Sequence, residues 1–376
     1  MSSSSVICAP VESVGLVRPG LLDLLGQVAD PRARRGVRHQ FVGVLAVALA
    51  AVLAGARSFT AIGEWVADAD AGVLARLGVA GVRRPCEATI RRALNRVDAQ
   101  LLDAVVGAWM RTRVGELGGR RVIAVDGKTV RGARAAGNLA PHLVAALDQA
   151  AGVVLGQVQV DAKSNEIPAL RTLLEGFDLV GAVVTADAMH TQDAHAKYLH
   201  RRGAHYVLIA KANRPTLVRE LTALPWADVE VAATCTNTGH GRVETRTIKV
   251  VRPPRPLSFP RARQAIRLQR RRRVRGAKAQ VETVYAVTDL DFDQASAAQL
   301  AQVIRGHWTI ENQVHHVRDV TYDEDRSQTR AGSSAQVMAT FRNVAISLHL
   351  LAGATTIAQG TRAIMRRPER IWPLIT

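Results

Sequence analysis

The chain has 376 residues, with 50 Lys and Arg against 32 Asp and Glu, giving a formal net charge of +18. That length exceeds one ordinary core and implies two or three domains, and 48% hydrophobic residues exclude a largely disordered protein. The charge asks for a polyanionic partner, and three cysteines (Cys8, Cys86, Cys235) without metal-ligand or redox spacing exclude a disulfide scaffold and suit a reduced cytoplasm.

Residues 1–17 read as a loose tail, and MSSSSVICAPVES lacks the basic start and long apolar core of a signal peptide. From Leu21 to about Gly115 the chain reads as helical. Phe41–Ala56 is sixteen residues without a charge, too short to span a membrane, and reads as a fully buried helix. Ser58–Ala69, Ala71–Leu77 and Glu87–Val97 follow. The last carries Arg91, Arg92 and Asn95 on its exposed sides, which suits either a helix-turn-helix DNA reader or a bundle with a solvated arginine face. Gly115–Gly119 marks a boundary between a helical region, 18–117, and a second region, 118–376.

Beyond Arg120 the period changes. Arg121–Val125, His142–Leu147 and Val153–Val160 read as three strands of an antiparallel meander. Asn165 can cap a helix with Pro168 in its first turn. A buried strand at Ala182–Thr185, a helix at Asp193–Arg201 and a strand at His205–Ala210 complete the set. This order is that of an α/β, ribonuclease-H-like core. A β-rich insertion at about 211–290 interrupts it, with alternating runs at Gly241–Val251, Ala265–Arg271 and Glu282–Val287. Eleven Lys or Arg and no acid lie between Arg252 and Lys278, including Arg270, Arg271, Arg272 and Arg273, and suit salt-sensitive DNA binding. Ser296-Ala-Ala-Gln299 reads as a capping box opening a helix. On it Leu300, Val303, Ile304, His307, Glu311, Val314 and Arg318 share one face. Ala335–Ala352 reads as a helix packed on the core, and Arg362–Arg370 as a basic tail.

The chemistry rests on three carboxylates. Asp126 in RVIAVDGKT and Asp187 in AVVTADAMH end strand-like runs, and Glu311 lies on the late helix. Hard divalent cations prefer such oxygens, and two of them about 3.5–4 Å apart stabilise the attacking and leaving oxygens of a phosphodiester. Two Mg²⁺ ions, with Mn²⁺ as substitute, are therefore expected. Lys128 and Arg131 read as phosphate contacts or as solvated loop cations. Trp308 reads as a stacking platform for a base or as a core residue. His190, His195, His200 and His205 recur every five residues and do not share a helical face, so no histidine metal site is expected.

IAVDGKTVRGA, VVTADAMHTQ and GHWTIENQVHHVRDVTYDEDRSQTR resemble the signature blocks of H-repeat-associated insertion-sequence DDE transposases. DPRARRGVRHQFVGVLAVALAAVLAGARSFTAIGEW resembles that family's N-terminal associated domain, and KSNEIPAL and MATFRNVAI fit as well. The resemblance implies Asp126, Asp187 and Glu311 as catalytic metal ligands. It also implies cleavage at insertion-sequence ends and 3′-OH strand transfer into target DNA. Related transposases carry a Tyr, Arg, Glu, Lys signature on the last helix; here Ile304, His307 and Arg318 replace its Tyr, Arg and Lys, and Arg318 is expected to contact phosphate. The implied partners are double-stranded DNA and a second copy of the chain in the DNA complex, with no membrane role. A nuclease that cleaves without joining, or an inactive copy that only binds DNA as a regulator, uses the same residues.

Overall fold

The computed structural model describes residues 20–35, 37–114, 120–134, 140–160, 166–239, 241–274 and 278–376. The expected tail, the Gly115–Gly119 boundary, Cys8 and the Asn165 cap lie outside the described residues.

The chain opens with α1 (Leu21–Leu25), α2 (Phe41–Leu53), α3 (Phe59–Asp68), α4 (Ala71–Arg76), α5 (Glu87–Leu94) and α6 (Ala99–Arg113). Every residue of α2 except Val42 is buried, as its uncharged sequence predicts. An uncharged helix has no polar face to offer water, so it becomes the axis around which the others pack. Side-chain caps from Ser58, Asp70 and Asp98 satisfy free backbone N–H groups at the starts of α3, α4 and α6.

The antiparallel meander is β1 (Val122–Thr129), β2 (His142–Asp148) and β3 (Val153–Gln159). Then come α7 (Glu166–Leu174), β4 (Val183–Ala186), α8 (Asp193–Arg201) and β5 (His205–Ala210). Both β4 and β5 run parallel to β1, which requires the two crossover helices. The strand order β3-β2-β1-β4-β5 is that of the ribonuclease-H-like fold. The next segment comprises α9 (Pro215–Thr222), β6 (Ala233–Gly239), β7 (Arg242–Val251), β8 (Gln264–Val274) and β9 (Gln280–Thr288). Its four strands do not form a sheet of their own. β9 pairs with β5, and the whole becomes one mixed nine-stranded sheet ending β5-β9-β8-β7-β6.

One face of this sheet is covered by α10 (Ala297–His307), which packs Leu300, Val303 and Ile304 on Val183, Val207, Ile248, Ile266 and Ala286. The capping box holds: Ser296 Oγ accepts from Gln299 N at 3.3 Å, and Gln299 Oε1 accepts from Ser296 N at 2.9 Å. A π-helical segment, Ile310–His315, and α11 (His316–Val320) continue the chain toward α12 (Ser334–Leu351). α12 is buried almost throughout, against α2, α6 and β3. The expected basic tail is instead α13 (Ile357–Arg366) and α14 (Trp372–Ile375). Ile357, Ile364, Ile371 and Trp372 lie at helical spacing between the arginines and are buried, so apolar packing overrides the charge pattern. One hydrophobic cluster runs from Leu21 to Ile375 and joins the helical region to the sheet.

A buried ion triad ties this arrangement together. Arg318 Nη2 donates to Glu324 Oε1 at 2.7 Å and Arg342 Nη1 to Glu324 Oε2 at 2.8 Å, with all three side chains at most 1% exposed. Burial alone would raise the Glu324 carboxyl, but the two guanidiniums pull it down to about 2. Removing one member of such a set strands the others, so Glu324→Ala should cost about 3–5 kcal/mol in urea unfolding. Because the folded value lies below the ordinary 4.5, this stabilisation is complete above pH 4.5 and lost as pH falls toward 2. A loss under about 1 kcal/mol, the range of exposed pairs, would contradict the buried triad.

Candidate active site

The parallel pairing of β1 with β4 ends at Val125↔Ala186, so Asp126 and Asp187 come next in register on neighbouring strands. Side chains alternate across a strand, which puts both aspartates on the face that α10 covers. Asp126 is not at the end of its strand as expected. It is internal to β1, which stays paired with β2 as far as Thr129↔His142 after β4 has stopped. The partial sheet leaves Asp126 only 7% exposed, while Asp187, just past its strand, is exposed.

The helix above carries their partners. His307 Nε2 lies 3.6 Å from Asp187 Oδ1, and His307 Nδ1 lies 3.0 Å from Thr185 Oγ1. His315 Nδ1 lies 3.3 Å from Asp126 Oδ2. The His307 hydrogen bond outweighs burial and lowers the Asp187 carboxyl, with help from His307 charge and Lys211. Between the two histidines stands Glu311, exposed on the π-helical segment that packs against β1. Among the described residues no three Asp, Glu, His or Cys side chains are grouped closely enough to hold a metal ion together. Asp126 and Asp187 nonetheless fit a hard cation, being adjacent oxygen donors on one face. Two buried atoms near them, His315 Nε2 and Asp319 Oδ1, have no hydrogen-bond partner.

Behind the sheet, Gly127 explains the DGK motif. A Cβ there would stand 2.5 Å from Glu166 Cδ and 2.6 Å from His142 Nε2. Glu166 bridges His142 at 2.5 Å and His190 at 3.5 Å, and His142 Nδ1 meets Thr129 Oγ1 at 2.8 Å. Burial would raise the Glu166 carboxyl, yet the two imidazoles bring it down to about 2. Sequence reasoning missed Glu166, Thr185 and His315. For His315 a signal existed, since His307, Glu311 and His315 recur at four-residue steps.

Residues 117–348 match the family described as Transposase DDE domain, and residues 22–110 match DDE_Tnp_1-associated. The putative transposase YncI of Escherichia coli O157:H7 is 30% identical, over 87% of this chain and 86% of that protein. This chain belongs to the DDE transposase family. The H repeat-associated putative transposase YhhI of Escherichia coli K12 is 26% identical over 92% of this chain and 94% of its own. Among solved structures, a piggyBac transposase synaptic complex with hairpin DNA matches 92% of this chain and 74% of that one, at 9% identity and a TM-score of 0.43.

Other residues singled out in this DDE chain fall in three places. Lys128 and Arg131 lie beside the aspartates: Lys128 Nζ pairs with Asp319 at 2.7 Å, and Arg131, 78% exposed, stands 3.7 Å from Asp325. Trp308 is 51% exposed rather than core, with the Arg270 guanidinium 5.6 Å from its ring centre. The run Arg270–Arg273 lies within β8, so its members alternate between faces and do not form one patch. Arg270 and Arg272 share the α10 face with Leu268 and Ile266, while Arg271 and Arg273 point the other way. On α5, Arg91 pairs with Glu87 at 2.8 Å and Arg92 Nε donates to Ala88 O at 2.9 Å. The carbonyl of Asn95 accepts from Ser333 N at 3.1 Å.

Arg318 requires a correction. It does not stand out beside Glu311; its Nε and Nη2 are spent on Glu324 and its Nη1 on Asn343 Oδ1 at 3.4 Å. A straight helix would put it on the Glu311 face, but the π-helical segment changes the winding, and the buried stripe passes through Ile310, Val314 and Arg318.

Gly127→Ala should lower stability by about 1–3 kcal/mol, the cost of overpacking a filled site. Adding Glu166→Ala should recover only the share due to Glu166, because His142 Nε2 still stands 2.6 Å from the new Cβ. Thermal melting of both variants checks it, and equal melting of Gly127→Ala and wild type would show that Glu166 yields freely.

Proposed function

We propose that this protein is an active transposase that cleaves DNA at the ends of its insertion sequence and joins the freed 3′-hydroxyl to target DNA. The single observation that carries the reading is the placement of Asp126 and Asp187 in consecutive register on one face, beneath the segment that carries Glu311. Asp126, Asp187 and Glu311 would hold two Mg²⁺ ions, or Mn²⁺ in their place. When bound, these ions lower the pKa of water and neutralise charge on the oxygens of the phosphodiester.

In the first step a P–O bond forms from water and the P–O3′ bond breaks, leaving a 3′-hydroxyl and a 5′-phosphate. In the second, that hydroxyl forms a bond to a target phosphate whose own 3′-oxygen leaves. His307 and His315 hold the two aspartates in orientation, as outer partners do for ligating carboxylates. Arg131, 78% exposed, receives a phosphate that flanks the reacting one, while Lys128, held by Asp319, supplies positive charge behind it. Trp308, exposed beside Arg270, offers a face on which an unpaired base stacks. Residues 18–117 recognise the element's end, residues 118–376 carry the chemistry, and two copies of the chain act on paired ends.

Asp126→Ala, Asp187→Ala and Glu311→Ala should each abolish cleavage of an end-bearing duplex in Mg²⁺ and Mn²⁺ while leaving gel-shift affinity nearly intact. Wild-type cleavage by any one of the three would remove that residue from the ligand set. Trp308→Ala should weaken binding of an end with unpaired bases by about 1–3 kcal/mol and leave fully paired duplex unchanged.

A further inference from the structure

A second cationic surface lies beyond the turn that follows β1. The start of α3, the side of α5 and the segment 323–334 enclose a groove of about 640 Å³. Its walls include Arg57, Arg91, Arg326, Arg330, Thr60 and Gln328. Two acids, Glu87 and Asp323, stand there too, at 2.8 Å from Arg91 and 3.9 Å from Arg326. Among the described residues, Arg57 and Arg330 meet no carboxylate, so the groove keeps a surplus of positive charge.

Three further features suit it to phosphate. Ser58 caps α3, a ten-residue helix, and Ser58, Phe59 and Thr60 line the groove, so the positive end of that helix opens into it. The wall is anchored from within: Glu324, next to the lining Asp323, is locked inward by Arg318 and Arg342, and Arg342 also donates to the backbone O of Arg57 at 3.3 Å. The flanking Asp323 takes a left-handed φ of 51°, a conformation rare for a residue with a side chain. Such outliers persist where their surroundings over-determine them. Finally, the groove adjoins the catalytic strand. The turn Arg131–Ala133 follows β1, Arg330 Nε donates to Gly132 O at 3.2 Å, and Arg131 faces Asp325.

We propose that this groove holds the sugar-phosphate backbone of the DNA end being cleaved, running from the scissile phosphate at Asp126 past Arg131 to α5. It adds Arg57, Arg326, Gln328 and Arg330 to the end-binding residues, and it makes α5 a backbone-gripping wall. The inference rests on the transposase reading, but its test reads binding and not catalysis.

The experiment uses the full chain and duplexes taken from the DNA bordering its coding sequence, with scrambled duplexes beside them. Arg57→Glu and Arg326→Glu change exposed side chains, Arg326 being 86% exposed. Affinity is measured across a salt series, together with thermal melting. The log–log salt slope should fall by roughly 0.9 for each arginine that meets a phosphate, with melting unchanged. The preference for bordering over scrambled duplex should narrow as well. Should charge reversal lower the melting temperature, Arg57→Gln and Arg326→Gln give the same comparison without added repulsion.

An unchanged slope in folded variants overturns the proposal. So does unchanged end binding with lost capture of a target plasmid, which would put target DNA in the groove. A wild-type protein that cleaves nothing but loses salt slope in these variants keeps the groove and discards the catalytic reading.

Discussion

The carboxylate of Glu324 is buried and, among the described residues, is satisfied by Arg318 and Arg342, and much of the molecule is arranged to allow that. A buried charge without a partner costs several kcal/mol, so the three side chains must arrive together. Arg318 comes from the helix after Glu311, Glu324 from the loop beyond it, and Arg342 from the middle of the buried α12. The network extends inward: Asn343 Nδ2 donates to Gln157 Oε1 at 2.8 Å, and Gln157 Nε2 reaches Asp103 at 3.3 Å. Burial raises Asp103 to about 7, against the hydrogen bonds from Thr340, Gln336 and Gln157 that oppose the rise. One polar line therefore joins the turn beyond the Glu311 helix, the sheet and α6.

The consequence for the site is mechanical. The helix bearing His307, Glu311 and His315 is pinned at its C-terminal end by Arg318 and at its start by the capping box. Between the pins lies the π-helical segment, which lets Ile310 and Val314 stay buried while Glu311 faces outward. A π-helical turn is costly and rarely survives without a compensating role. Here it lifts the carboxylate off the apolar stripe, next to the histidines that meet Asp187 and Asp126.

The ends of the interior strands β1 and β4 supply the other half. β4 ends where β1 continues, so two aspartates in identical register acquire unlike surroundings, one enclosed and one open. On the reverse side Glu166, drawn between His142 and His190, leaves no room for a side chain at Gly127. The strand end is thereby clamped from both faces. The basic insertion extends the same sheet, and its β8 brings Arg270 to Trp308.

Much of this was legible in the residues themselves. Short apolar runs located β1 to β5 and a capping box located α10, because local patterning and burial agree there. The uncharged stretch fixed α2 as buried, since no other environment accepts it. The two aspartates stood out because each follows a run that only a sheet interior accommodates. What the sequence could not contain was decided by contacts between distant segments. Arg318 fits the Glu311 face on spacing alone, but a partner six residues on and another on α12 draw it into the core. Trp308 has the composition of a core residue, and only the end of α10 at the sheet's rim leaves it exposed. Arg270–Arg273 reads as one patch until β8 forms and alternation divides it between two faces. Spacing sets which residues share a helix or strand; where that element ends, and what meets it, follows from the whole chain's need to bury its apolar surface and pair its charges.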